Sequence, residues 1–341
     1  HRSRGPLSRQ RTIRRVRRRE RPVMIRPPSS DPASPRLTAV LVAGLRRRRA
    51  QSALDALGRQ TLAEMEVLLL DTRPEAVALR RPPGLEVREV RRHFPGGQRE
   101  ARATAAAMAR APAVALVEDH CIVDPAWAEA VALAFETGPW GVVGYTFLNA
   151  DDTRWGARGC HAAVYGPWMA PGADAEVGSV AINNFAFRTE VVRGLGSSLE
   201  RMIFPDAVLQ QHLRRQGIRF FVAGGAVCTH ENPWQLGFMA VASAVHGRAM
   251  AAQRVEVWGW GWPRRLFYAA AVPVGAPLLR LWRLVAGVAR RPRRWLPALE
   301  SLPVAVVIYV AGAYGESLGY LCGVGDSMAR YEDFELDLER S

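Results

Sequence analysis

Residues 113–120 read AVALVEDH: five apolar residues, Ala113 to Val117, run without a break into Glu118, Asp119 and His120. An apolar run of that length, closed by polar residues, predicts a strand covered on both faces, as in the interior of a parallel sheet. Upstream, residues 37–43 (LTAVLVA) and 66–70 (EVLLL, ending at Asp71) repeat the pattern, and residues 86–91 predict a further strand. Helical stretches lie between them: 46–57, with Ala50, Leu54 and Leu57 on one face, and the alanine-rich 98–110. Strands alternating with helices predict an α/β chain built on a doubly wound, mostly parallel sheet. Such a sheet binds ligands beyond the carboxyl ends of its strands. Asp71 and the Glu118–His120 trio stand at two such ends, so the topology predicts that they share one crevice.

Further along, Asp124 and Pro125 suit a helix N-cap and first position before a helix to Phe135, followed by a strand over 142–147. Residues 149–178 are rich in Gly, Asp, Pro and Trp and predict a long loop over the crevice. Residues 179–188 predict a strand. A helix over 206–216 is closed by Gly217, a position suited to left-handed backbone, and a strand over 218–223 leads towards His230.

The net charge of +14 suggests nucleic acid until its distribution is considered. Residues 1–36 hold twelve arginines against Glu20 and Asp31, which accounts for ten of those charges, and the remainder of the chain is close to neutral. The body carries no basic stripe interleaved with stacking aromatics, so no nucleic-acid partner is expected for it. The first 36 residues, rich in Arg, Pro and Ser, lack apolar periodicity and read as a disordered tail. The chain begins at His1 and its first methionine is Met24, so residues 1–23 read as lying upstream of a start at Met24. Four cysteines without a C-x-x-C pair argue against a zinc site or a disulfide framework.

The order of these features resembles the family 2 glycosyltransferases of the GT-A fold over residues 37–255. Gln60–Thr61 is similar to the family's Q-T before the second strand, and Asp71 stands where the family places an acidic residue against the nucleotide base. Residues 99–111 resemble its A-R-N-x-G helix, with Thr104 in the place of Asn. AVALVEDH resembles the strand entering the D-x-D metal motif, and residues 204–217 (FPDAVLQQHLRRQG) resemble the acceptor-side helix, with Asp206 on its Asp. Residues 227–230 resemble the end of the fold. Two departures stand out: an imidazole, His120, replaces the last D-x-D carboxylate, and Pro205 replaces the glutamate before Asp206. The processive-synthase Q-x-x-R-W is missing.

The resemblance implies a nucleotide-sugar donor, a glycan or lipid-linked acceptor, and Mn2+ or Mg2+ as cofactor. Asp119, His120 and His230 would hold the metal, with Glu118 on the ribose; Glu118–His120 is otherwise a polar turn after a strand. Asp206 would be the general base of an inverting transfer, or an ordinary helix N-cap. Asp71, Asn183, Asn184 and Trp168 are candidate substrate contacts, joined by Trp155, while His246 and Arg248 either reach a phosphate or lie on a solvated face.

The C-terminal third carries two long apolar stretches, 266–289 and 302–324. The first is flanked by arginines and tryptophans, and the second holds Glu316. This composition predicts a membrane-associated helical region over 256–325, on the cytoplasmic face of the inner membrane, then an acidic tail over 326–341. A soluble helical hairpin has the same pattern. Three other function classes remain: a nucleotidyltransferase, for which the arginines at 46–49 speak but which lacks the Gly-rich loop; a non-catalytic binding protein with a degenerate site; and a nucleic-acid binder acting through the arginine-rich tail.

Overall fold

The structure is a computed structural model that describes residues 34–289 and 295–337; the arginine-rich segment before Ser34 and Arg290, Arg291, Arg293 and Arg294 lie outside the described residues. Strands β1 (Leu37–Ala43), β2 (Met65–Asp71), β3 (Glu86–Arg91) and β4 (Ala113–Val117) alternate with helices α1 (Arg47–Leu57) and α2 (Gly97–Met108). After them come β5 (Cys121–Val123), α3 (Trp127–Thr137), β6 (Val142–Asn149), α4 (Trp155–Tyr165), β7 (Ala175–Val177), β8 (Phe185–Arg188), α5 (Thr189–Arg193), α6 (Ala207–Arg215) and β9 (Phe220–His230). Four helices close the chain: α7 (Leu236–Trp258), α8 (Trp262–Ala289), α9 (Trp295–Cys322) and α10 (Ser327–Leu336).

One sheet of nine strands, in the order β3-β2-β1-β4-β8-β6-β9-β5 with β7 beside β9, forms the centre. β3, β2, β1 and β4 are mutually parallel; β8 runs antiparallel to both β4 and β6, and β9 is parallel to β6. Six strands therefore point one way, and the sheet is mostly parallel with antiparallel insertions. The period-two alternation of a strand divides the core into two layers. Leu37, Ala39, Leu41 and Ala43 pack with α1 and α3 on one face. Val40 and Val42 pack with α2, Phe185, Phe187 and α6 on the other.

The first half of the chain follows its pattern closely, and the second half departs from it at several places; the strand expected over 179–188 forms only at Phe185–Arg188. The stretch expected as a long loop contains α4, because Gly156 and Gly159 let it lie close against its neighbours; a Cβ on Gly156 would stand 1.9 Å from the Trp234 carbonyl oxygen, and one on Gly159 2.4 Å from Val304. The strand expected to end at residue 223 runs on to His230, past a bulge opposite Gly144–Thr146. The C-terminal stretch expected as an acidic tail holds α10, whose Tyr331 and Phe334 are buried against Phe204 and α7 and whose Leu336 joins the core beside the sheet; its last residues, from Leu338, lie outside the described residues.

Helix α7 crosses the boundary expected at residue 255 and packs along α9 in glycine-lined contact. A Cβ on Gly247 would stand 2.2 Å from the Gly312 oxygen, and one on Gly315 1.9 Å from the Ala244 oxygen. Glu316 of α9 is buried between Arg254 of α7 (3.1 Å) and Arg280 of α8. By length and composition, Trp262–Ala286 and Glu300–Cys322 are apolar enough to cross a membrane, but α9 is largely packed within the protein whereas α8 leaves its apolar face outside. Phe267, Val274, Leu278 and Trp282, each more than 60 % exposed, repeat at helical spacing along that face.

Candidate functional site

The site forms where β4 leaves the centre of the sheet. Glu118, Asp119 and His120 make a tight turn, closed by the Cys121 amide donating to the Glu118 carbonyl (3.0 Å), and β5 then pairs with β9 at the sheet's far edge. The β5–β9 register sets Cys121 opposite His230, which brings two histidines 110 residues apart into contact, with ring centroids 4.7 Å apart.

Glu118, His120 and His230 are all buried, and their ligand atoms lie within 4.8 Å of one another. The carboxylate Oε2 of Glu118 stands 3.3 Å from His120 Nε2 and 3.4 Å from His230 Nε2. Burial works against its ionisation, but the two imidazoles more than offset it and hold the carboxyl well below the usual carboxylate range. Asn184 fixes its orientation, donating from Nδ2 to Oε2 and accepting the Glu118 amide (3.0 Å) on Oδ1. His230 is held by the Tyr165 hydroxyl at Nε2 (2.9 Å) and by Asn232 at Nδ1 (3.1 Å). One carboxylate with two imidazoles is a donor set for a divalent transition ion: the imidazoles favour Zn2+ or Fe2+, and the carboxylate also admits Mn2+.

The expected ligand Asp119 is not part of this trio. Its Oδ1 is shared by Arg49 (2.9 Å) and His120 Nδ1 (3.0 Å), so it braces the histidine from behind, while its Oδ2 is buried with no hydrogen-bond partner among the described residues. Glu118, expected on the ribose, takes the place in the trio instead. The reason is local: in the tight turn the side chains of residues 118 and 120 face His230 and residue 119 turns towards α1.

Asp206 lies on the same side of the sheet. It is fully buried at the N-terminal boundary of α6 and makes no side-chain capping bond, so the N-cap alternative is not what holds it. Its Oδ2 accepts the Asn183 amide (2.5 Å) and its Oδ1 accepts Gln210 Nε2 (3.1 Å). Burial raises its pKa to about 7, against the pull of the Asn183 amide and nearby Arg102. Asn183 has a left-handed backbone (φ 65°), which asparagine tolerates better than most residues, and its side chain bridges Arg102 (3.2 Å) and Tyr331 (2.9 Å). The two adjacent asparagines thus tie Asp206 to Glu118 through one turn.

The other expected contacts divide. Asp71 is fully buried and its carboxylate is bidentate to Arg47 (2.9 and 2.8 Å), leaving it as the anchor of an arginine rather than an open contact. Trp168 lines a cavity, with its Nε1 donating to the Ser179 carbonyl. Trp155 is occupied with the Glu300 carbonyl (2.7 Å), and Arg248 with that of Gly323 (3.0 Å). His246 is half-buried and lines the same cavity as Trp168; burial, then Arg280 and Arg254, lower its pKa to about 4, so it is neutral at pH 7.

Two cavities meet at the trio. The first, about 790 Å³, is lined by His120 and by Arg46, Arg47, Arg48, Arg49 and Arg154. The second, about 1040 Å³, is lined by Glu118, His230 and Asn183 at its inner end and by apolar residues of α7, α8 and α9 beyond. The trio forms the wall between a cationic cleft and an apolar one. Sequence reasoning missed Tyr165, Arg102 and the α10 residues Tyr331 and Glu335. Glu335 Oε2 stands 3.9 Å from His120 Nε2, its carbonyl accepts Arg49 (2.7 Å), and Asp337 accepts the Leu45 amide (2.8 Å). Only the run of four arginines at 46–49 carried a signal; nothing in the spacing of α10 ties it to the site.

No family model and no curated protein matches this sequence. Among solved structures, the chain is similar to the mannosyltransferase PcManGT from Pyrobaculum calidifontis, in complex with GDP-Man and Mn2+, at 16 % identity and a TM-score of 0.52, over 90 % of this chain and 91 % of that one. TarS from S. aureus, residues 1–349, is similar at 12 % identity and a TM-score of 0.41, over 83 % of this chain and 90 % of that one. Its complex with UDP gives 13 % and 0.43 over the same shares. The likeness to PcManGT is one of fold: the two proteins share their architecture over nearly their whole lengths.

The raised pKa of Asp206 makes a prediction about stability. A carboxyl that holds its proton more tightly folded than unfolded stabilises fully below its ordinary value of 3.8, and that contribution is lost as pH rises through about 7. Urea unfolding at pH 5 and pH 8 should show wild-type stability falling over that interval by more than it falls in Asp206→Asn. Equal falls in the two proteins would remove the group as the source.

Proposed function

We propose that the protein is a metal-assisted, inverting glycosyltransferase of the family 2 kind, moving a sugar from a nucleotide-diphosphate donor to a glycan or lipid-linked acceptor. The observation that carries the reading is the position of Glu118, His120 and His230 on the wall between a cationic cleft and a second cavity. The fold shared with a mannosyltransferase in complex with GDP-Man and Mn2+ supports it.

Glu118, His120 and His230 would hold the divalent ion, which when bound supplies charge neutralisation for a diphosphate leaving group. Arg46, Arg48 and Arg49 face the same cleft, and Arg48 makes no ion pair among the described residues, so the cleft offers the diphosphate cationic partners beside the trio. Asp71 keeps Arg47 extended along that wall. On the opposite side, Asp206 takes the proton from the acceptor hydroxyl as the new bond forms at the anomeric carbon and the bond to the diphosphate breaks. A pKa near 7 suits a base that must be ionised at neutral pH and still accept a proton. To reach the acceptor, its carboxylate exchanges the Asn183 amide for the hydroxyl, at the cavity end that Ala207 lines.

A nucleotidyltransferase would also want cations near its phosphates. The second, apolar cavity opening on the trio favours transfer to an acceptor. Asp206 as the single assigned base, with in-line attack at the anomeric carbon, favours inversion.

In a panel of nucleotide sugars with Mn2+, wild type should turn over a donor, and Asp206→Asn should lose roughly 10²–10⁴-fold in kcat with donor affinity retained. Unchanged turnover would remove Asp206 as base. His230→Ala should lose the metal-dependent part of nucleotide binding, and affinity that stays metal-dependent would exclude the trio as the metal site.

The proposed place of action is the cytoplasmic face of the inner membrane, and the exposed stripe on α8 supports the membrane contact alone. Arg264 and Arg265 lie over Trp260 and Trp262 (4.2 and 4.5 Å) at its N-terminal end, an arrangement suited to the headgroup region. Deleting the C-terminal third would also remove α10 from the site, so substitution is the cleaner test. The triple variant Phe267→Ser, Val274→Ser, Leu278→Ser should float with anionic vesicles several-fold less than wild type, and equal flotation would reject α8 as the contact.

A further inference from the structure

We propose that the second cavity holds the hydrocarbon part of an amphiphilic acceptor, delivered from a membrane leaflet past α8 to the trio. The inference rests on the glycosyl-transfer reading and names the chemistry of the acceptor.

The cavity has two unlike ends. Its inner end is polar, set by Glu118, His230 and Asn183, and there a reacting hydroxyl has partners. Beyond it the walls are Phe238, Met239, Met250 and Ile308, and the outer wall is α8 at Trp282 and Leu284. Trp282 belongs at once to this wall and to the exposed apolar stripe of α8, so the cavity is continuous with the face that an apolar phase would cover.

Arg283, Ser243 and His246 also line the route, but several of its polar groups are occupied within the protein. Arg280 and Glu316 pair with each other, Glu316 also pairs with Arg254, and the Tyr309 hydroxyl donates to the Ala163 carbonyl (2.7 Å). A hydrated glycan threaded along this path would give up water hydrogen bonds for few replacements. An alkyl chain loses none, and each methylene taken from water into such walls improves affinity about fourfold. Methionines at 239 and 250 suit a flexible chain of variable course, since their unbranched side chains repack readily. The cavity volume of about 1040 Å³ leaves room for a chain as well as a reacting head.

The test uses the full chain and dodecyl glucoside carrying a diazirine in mid-chain, with labelled residues mapped by peptide mass spectrometry. Labels are expected on Met239, Met250 and Ile308, competed at least tenfold better by dodecyl glucoside than by methyl glucoside. Ala242→Trp, which fills the cavity, should reduce those labels at least fivefold and leave labelling at Phe267 and Val274 unchanged; Ser243→Leu serves the same purpose if the tryptophan variant does not fold. Labels confined to the outer face of α8, or equal competition by the two glucosides, would overturn the proposal. Metal-dependent nucleotide binding is measured on the same samples. Its absence in wild type would sink the transferase reading, whereas its presence with no cavity labels would sink the amphiphile alone.

Discussion

A carboxylate buried at the crest of the sheet must be compensated where it stands, and the rest of the site is arranged around that requirement. Glu118 has little contact with water, and an isolated charge there would cost several kcal/mol. Two imidazoles and the Asn184 amide supply the compensation. Each of these partners is in turn constrained: His120 by Asp119, His230 by Tyr165 and Asn232, and the Asn183–Asn184 turn by Asp206, Arg102 and Tyr331. The outcome is a small, rigid cluster of nitrogen and oxygen donors, set by elements from seven separate parts of the chain.

That cluster separates two environments with opposite chemistry. The arginines after β1 make one side a place for anionic oxygen, whereas the helices of the C-terminal third make the other side apolar. Because α7 runs unbroken from the sheet half into the helical layer, the second cavity belongs to both. The terminal helix α10 completes the junction: Tyr331 stacks on Phe204 (centroids 4.8 Å apart) and bonds Asn183, while the Glu335 carbonyl and the Asp337 carboxylate engage Arg49 and the Leu45 amide. A segment whose composition resembles a solvated tail is thereby part of the wall of the site.

Much of this was legible in the sequence where local pattern and topology agree. Uninterrupted apolar runs gave β1, β2 and β4, and their carboxyl ends located Asp71 and Glu118–His120, although Asp71 reaches the cleft only through Arg47, which it anchors. Gln60 shows why short motifs carry weight: its amide bonds the Asp124 carbonyl and the Ala128 amide, stitching α1 to α3. What the pattern could not supply was the choice between neighbouring polar residues. Whether residue 118 or 119 faces His230 depends on the geometry of a three-residue turn, which composition does not encode. Nor could it place α10, whose role comes from contacts across the whole length of the chain, or α4, whose close packing depends on glycines that read equally well as loop.

The central claim is that Glu118, His120 and His230 together bind one divalent ion. Pulsed electron paramagnetic resonance of the Mn2+-loaded protein tests it most directly, since nitrogen nuclei bound to the ion modulate the echo. The account predicts couplings from two imidazole nitrogens, reduced to one in His230→Ala. Bound Mn2+ with no nitrogen coupling, or a two-nitrogen signal unchanged in that variant, would contradict it.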